Sequence, residues 1–166
     1  MNLDKFKTIF FDFGDTIIHQ QVDSETPLDQ LPLKLFPGIQ KVLEHVSAHC
    51  KLGIISNTEI TNDTAVKHAL EKLQIAQFFE TVTTSVSTGI KKPNKEIFWV
   101  ALKKHEANSD ESMMVGNNYE EDIVPAKIVG MTTVLYGVSN KNMKQQFPLA
   151  DYIVKNSKEL LDLFKS

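Results

Sequence analysis

The chain has 166 residues, 42% hydrophobic and 23% charged, with a formal net charge of −3, the make-up of an ordinary globular domain. Apolar residues recur along the whole length, which excludes global disorder. No uncharged apolar run approaches the roughly 18 residues of a membrane span, and the first residues, Met1 to Lys7, lack a signal-peptide core. We therefore expect one cytoplasmic domain over residues 1–166. The 18 basic residues are all lysines, so no guanidinium fork exists to grip phosphate in two places, and the acidic balance argues against nucleic acid and membrane surfaces. Cys50 is the single cysteine. It can form no intrachain disulfide and reads as a small apolar residue ahead of a strand.

In chain order, Phe6 to Phe11 reads as a buried strand that runs straight into the turn Asp12-Phe13-Gly14-Asp15-Thr16. Residues 17–35 are mostly polar, hold Pro27 and Pro32, and suggest a loop or small flap. Ile39, Val42, Leu43 and Val46 then recur at helical spacing. Lys51 to Ile55 predicts a second strand ending at Ser56-Asn57-Thr58. Thr61 or Asn62 could cap a helix carrying Ala65, Ala69, Leu70 and Leu73. Phe79 to Thr84 predicts a third strand, and Ile97, Phe98, Ala101 and Leu102 mark the inner face of a helix from about 94 to 105. Ser112 to Val115 predicts a fourth strand, ending at Gly116-Asn117-Asn118. A short helix from about 121 to 129 precedes Gly130 as its C-cap. Strands at Thr132 to Tyr136 and Tyr152 to Val154 follow, and Ser157 is the expected cap of a last helix to Phe164.

Strand and helix alternate about six times, which predicts an α/β protein with a three-layer, doubly wound, mostly parallel sheet. In such sheets the ligand sits beyond the carboxyl ends of the strands, near a switch point in strand order. Three strands end there in polar turns: Asp12 to Thr16, Ser56-Asn57, and Gly116 to Asn118. Taken singly, each turn is explained by caps and loops, and Lys91-Lys92-Pro93 by a solvated loop. No Gly-x-Gly-x-x-Gly follows any strand, so a dinucleotide site is not indicated.

Their order is more informative. A strand ending in Asp12-Phe-Gly-Asp-Thr16, then a strand ending in Ser56-Asn57, then Lys92-Pro93, then Val115-Gly116-Asn117 with Asp122-Ile123, resembles the haloacid dehalogenase superfamily over nearly the whole chain. Gly130-Met131 and the stretch from Ala150 to Leu160 are similar to that family's closing segments. The resemblance implies a HAD-like core and magnesium-dependent phosphoryl transfer. It implies that Asp12 is a nucleophile, that Ser56 with Asn57 binds phosphate, and that Lys92 supplies positive charge. It also implies that Mg2+ is held by Asp12, the Gly14 carbonyl, Asn117 and Asp122; hard oxygen donors shared with a phosphate are what magnesium prefers.

Two positions depart from the family pattern. Gly14 stands where its phosphatases carry a second aspartate as general acid, and Asp15 follows one place later, where the side chain should face elsewhere. Asn117 replaces a charged metal ligand. The stretch between Asp12 and Ile39 is too short for the helical cap of many relatives, so an open site without a sizeable cap is expected. Such a site would admit a small phosphate ester or a larger phosphorylated partner. The alternative is a weakly active or inactive relative that binds a phosphorylated ligand or a protein. A dehalogenase is disfavoured because the chain lacks a cap to enclose an apolar pocket. His45, His49, His68 and His105 fall on helices away from the strand ends; only His19, in the flap, could approach a leaving group.

Overall fold

A computed structural model of the chain describes residue 1 and residues 3–19, 25–138 and 143–166. Six strands form one parallel sheet: β1 (Thr8–Phe11), β2 (Lys51–Ser56), β3 (Phe79–Thr84), β4 (Ser112–Gly116), β5 (Thr132–Tyr136) and β6 (Tyr152–Val154). Their order across the sheet is β3-β2-β1-β4-β5-β6. The chain winds outward from β1 through β2 to β3, then returns to the other side of β1 with β4. The switch point therefore lies between β1 and β4, where Phe11 pairs with Val115.

The helices are α1 (Ile39–Ser47), α2 (Asp63–Lys72), α3 (Ser85–Thr88), α4 (Glu96–Lys104), α5 (Val124–Ile128), α6 (Met143–Gln146) and α7 (Ser157–Lys165). Alternation along the strands sorts the core into two layers. Ile9, Phe11, Leu52, Ile54, Met113 and Val115 pack with α1, α2 and α7. Phe10, Ile55 and Met114 point the other way, against α4 and α5. On α1, Ile39, Val42, Leu43 and Val46 are fully buried, each worth about 1.5–3 kcal/mol of apolar transfer. The expected α/β doubly wound sheet and the absence of a sizeable cap are both observed. Between β1 and α1 the described residues hold one short 3-10 turn, Leu28–Gln30, and bridges from Ile18 to Gly14 and Leu35. Residues 20–24 of the expected flap lie outside the described residues.

Several local expectations are corrected. Asn62, not Thr61, caps α2, its side chain accepting the Ala65 N–H at 3.0 Å. Val66, outside the expected apolar set, is fully buried on that helix. Ser157 does not cap α7. Asn156 accepts the Glu159 N–H at 3.0 Å, while Ser157 is buried and shares a hydrogen bond of 2.9 Å with the Tyr136 hydroxyl. The short helix after β4 begins as a π-helical turn, Tyr119–Ile123, before α5. Gly130 follows α5 at φ +93°, as its place beyond the C-terminus requires. The one-turn helices α3 and α6 were not expected. Among the described residues no helix is long and apolar enough to cross a membrane.

Candidate active site

The carboxyl ends of β1, β2 and β4 open into a cleft of about 520 Å³. Asp12 extends β1, its backbone N–H donating to the Val115 carbonyl at 2.9 Å. Its Oδ1 accepts from Lys92 Nζ at 2.7 Å. The same ammonium donates to Asp122 Oδ1 at 2.5 Å and to the Ile55 carbonyl at 3.1 Å. A lysine ammonium has three hydrogens, and all three have acceptors here. The Lys92 side chain is 2% exposed, so this is a buried ion triad and not a surface pair. Its neighbour Lys91 is exposed and pairs with Glu59 on the cleft rim.

The surroundings explain how a lysine loop comes to lie inside the molecule. The Lys92–Pro93 peptide is cis. Asn57 holds this stretch from the end of β2: its Oδ1 accepts the Lys92 N–H at 2.8 Å, and its Nδ2 donates to the Lys92 carbonyl at 2.9 Å. The Asn57 Nδ2 also lies 3.4 Å from Glu121 Oε2. Asp122 is carried by the π-helical turn, and π-turns recur at functional sites. Asn118 caps that turn by accepting from the Glu120 and Glu121 N–H groups, and its own N–H donates to Asp122 Oδ2 at 2.9 Å. Gly116 is required beneath it, because a Cβ there would overlap the Asp122 carboxyl group.

Electrostatics follow from this packing. Burial pushes the Asp12 carboxyl up to about 7, and Asp122 adds to the rise although Lys92 opposes it. Burial also works against the Lys92 ammonium, but Asp12 and Asp122 outweigh it and hold the group above its ordinary value. With both acids ionised the triad carries one net negative charge. The far side of Asp12 faces Thr16, whose hydroxyl lies 3.4 Å from Asp12 Oδ2 and 3.3 Å from Asn117 Oδ1. One hydroxyl hydrogen cannot serve two acceptors well at that range. Hard oxygens of this kind suit a small divalent cation, and the negative triad would favour it. Gly14 lines the same cleft. Among the described residues no three His, Cys, Asp or Glu side chains converge as a metal site; the donor set rests on two carboxylates and amide oxygens.

Asp12, Gly14, Ser56, Asn57, Lys92, Asn117 and Asp122 thus all line one cleft. The Asn57 side-chain amide is taken up by the Lys92 main chain. Ser56 is buried, and among the described residues its hydroxyl makes a single long bond of 3.4 Å to the Asn57 carbonyl. Asp15 and His19 are not among the lining residues. Asp15 occupies the left-handed region at φ +54°, and His19 stacks on Phe36 with ring centroids 3.9 Å apart. Thr16, Thr58 and Asn118 belong to the strand-end turns the sequence points to, but no individual role was expected of them. Glu59 and Glu121 carry no local signal. The opposite wall comes from Thr26 and Leu28, and the Leu28 N–H donates to Thr61 Oγ1 at 3.1 Å.

Comparison with known proteins agrees with this geometry. A profile of the haloacid dehalogenase-like hydrolase family matches residues 18–136, which takes in Ser56, Lys92, Asn117 and Asp122. The glyceraldehyde 3-phosphate phosphatase of Methanocaldococcus jannaschii is 32% identical over 137 residues, 81% of this chain and 58% of that protein. The ribulose-1,5-bisphosphate 5-phosphatase of Halopiger xanaduensis is 31% identical over 111 residues, 66% of this chain and 45% of that protein. The chain spans about half the length of the curated relatives it matches. Among solved structures, an uncharacterized protein from Listeria monocytogenes serotype 4b superposes with a TM-score of 0.82 at 23% identity, covering 95% of this chain and 96% of that one. A HAD phosphatase from Thermococcus onnurineus gives 0.74 at 19% identity, covering 95% and 97%. These two share the fold. With the family profile matching most of its length, the chain belongs to the haloacid dehalogenase-like hydrolases.

Proposed function

We propose that this protein is a magnesium-dependent phosphohydrolase that works through an aspartyl-phosphate on Asp12. The observation that carries the reading is the buried Lys92 ammonium held between Asp12 and Asp122 at the floor of an open cleft, at the switch point of the sheet. A carboxylate nucleophile fixed by a cation, beside further oxygen donors, is suited to attack at phosphorus and poorly suited to binding alone. The relatives named as phosphatases support the same reading.

Asp12 attacks the phosphorus with one carboxylate oxygen, and the bond to the leaving group breaks with its electron pair. Lys92 holds Asp12 in place, opposes the rise in its proton affinity that burial causes, and offsets charge on the transferring group. The Ser56 hydroxyl, weakly held in the structure, turns to donate to a phosphoryl oxygen. Water then attacks the same phosphorus, releasing inorganic phosphate and restoring Asp12. Magnesium would be held by Asp12, Gly14 through its carbonyl, Asn117 and Asp122, and it supplies positive charge to the phosphoryl oxygens. The substrate is a small phosphate ester or a phosphorylated partner able to enter an open cleft. Gly14 and Asn117 favour a slow enzyme, and in the limit a protein that binds its phosphorylated ligand without turning it over.

The test is a screen of small phosphate esters with and without magnesium, with Asp12→Asn as control. Metal-dependent release of phosphate by the wild type and none by Asp12→Asn is the expected result. Turnover that survives in Asp12→Asn would overturn the reading, and tight phosphate-ester binding without turnover would leave the binding protein.

A further inference from the structure

We infer that the Asn57 side chain is a positioning group that acts on the reaction through Lys92 and is not itself a phosphate ligand; this rests on the phosphohydrolase reading of the cleft. Lys92 reaches its three acceptors from a loop, not from a regular element. A flexible four-carbon side chain on a mobile backbone would lose that geometry readily. The backbone anchor is the Asn57 side chain. A primary amide offers one acceptor and two hydrogens in one plane, and the structure uses all three: Oδ1 on the Lys92 N–H at 2.8 Å, Nδ2 on the Lys92 carbonyl at 2.9 Å, and the same nitrogen 3.4 Å from Glu121 Oε2. Gripping the N–H and the carbonyl of one residue fixes the peptide planes on either side of its Cα.

The contacts also join three separate segments. Asn57 directly follows β2, Lys92 lies in the loop before α4, and Glu121 precedes Asp122 on the π-turn. The lysine is tied back to β2 a second time, because its ammonium donates to the Ile55 carbonyl at 3.1 Å. Asn57 therefore sets where the Lys92 side chain starts, and Ile55, Asp12 and Asp122 set where it ends. An amide with its polar atoms committed in this way has little left for a phosphoryl group, whereas the Ser56 hydroxyl beside it does.

A double-mutant cycle with Asn57→Ala and Lys92→Met tests this, using p-nitrophenyl phosphate with magnesium. Loss of the anchor should lower kcat by about 10²-fold, the typical cost of misplacing a reacting group by an ångström, with KM little changed. In the Lys92→Met background the same Asn57→Ala change should lower kcat by much less, because residues acting as one unit are not additive. Equal fold-losses in both backgrounds, or a loss confined to KM, would overturn the inference and make Asn57 a ligand in its own right. A second readout does not depend on turnover: the ammonium resonance of Lys92, assigned by its absence in Lys92→Met, in NMR spectra of protein carrying 15N-lysine. Three acceptors and burial should make it visible in the wild type, and Asn57→Ala should broaden or shift it. An unchanged resonance in a folded Asn57→Ala protein would refute the inference. A wild type that shows this response but no turnover with any ester would instead refute the phosphohydrolase reading alone.

Discussion

Replacing Lys92 by methionine removes the charge while keeping a side chain of similar length. The structure fixes what is lost: three hydrogen bonds, two of them to carboxylates, from a side chain that is 2% exposed. Asp12 and Asp122 are then left buried with no cation between them. Removing one partner of a buried ionic cluster typically costs about 3–5 kcal/mol, because the orphaned charge stays behind. At roughly 2–4 °C per kcal/mol for a domain of this size, Lys92→Met should melt roughly 6–20 °C below the wild type in chelator at pH 8. Adding magnesium should recover part of that loss, since a cation beside the same carboxylates restores the charge balance. Lys91→Met is the internal control. Its pair with Glu59 is exposed on both sides, and such pairs contribute about 0–1 kcal/mol. Equal melting temperatures for Lys92→Met and the wild type would refute the buried triad.

Three further outcomes follow from the same geometry. Asn117→Asp places a formal charge where Asn117 Oδ1 lies 3.3 Å from Thr16, and should tighten magnesium binding in a calorimetric titration; unchanged affinity would mean that Asn117 does not face the metal. Gly14 lines the cleft and is not one of the left-handed glycines, so its backbone conformation is open to the L side chain of Gly14→Asp. Turnover of alkyl phosphates, whose leaving groups need a proton, should then rise by more than that of aryl phosphates, within the 10²–10⁴-fold range of general acid catalysis; a folded variant with no such difference would count against that position. His105 is buried against Phe10, with Nδ1 2.7 Å from Thr81 Oγ1 and Nε2 without a partner among the described residues. Burial is the main reason its proton affinity lies below the ordinary histidine value. Below about pH 6.5 the unfolded chain takes up a proton that the folded chain resists. Over the same range Asp12, pushed up to about 7, gains a proton on folding and adds stability as the pH drops, in wild type and variant alike. The difference isolates His105: His105→Gln should gain stability relative to the wild type as the pH falls below about 6.5 in urea titrations. Asp63 and Asp151, whose hydrogen bonds to Lys104 and Lys127 outweigh burial and hold them below the usual carboxylate range, add their losses only below about pH 4. A stability difference between wild type and His105→Gln that does not change between pH 6.5 and 4.5 would contradict the assignment to His105.

Much of the fold is written locally in this chain. The six strands stand out because each is a short apolar run bounded by polar turns, and α1 because its four apolar positions recur at helical spacing. What escaped the sequence is short or non-local. The helices α3 and α6 each make a single turn, too brief for a period to show. Asn156 and Ser157 are adjacent residues with equal capping chemistry, and only the partner of the Ser157 hydroxyl, Tyr136, decides between them. The site divides the same way. Asp12, Ser56, Lys92 and Asp122 are legible from strand-end motifs taken in order. The work of Asn57 is not, since its partner lies 35 residues away and the contact is with main chain, which leaves no trace in side-chain identity. Thr16 and Asn117 meet across 101 residues for the same reason.

The chemical fate of Asp12 decides between a phosphohydrolase and a binding protein. The most direct measurement is rapid quenching of the wild type during turnover of an acyl or aryl phosphate with magnesium, followed by peptide mass spectrometry. The expected result is a phosphoryl group on the peptide containing Asp12, cleaved by hydroxylamine as an acyl phosphate should be, and absent from Asp12→Asn. Turnover with no adduct on that peptide, or an adduct on another residue, would contradict it.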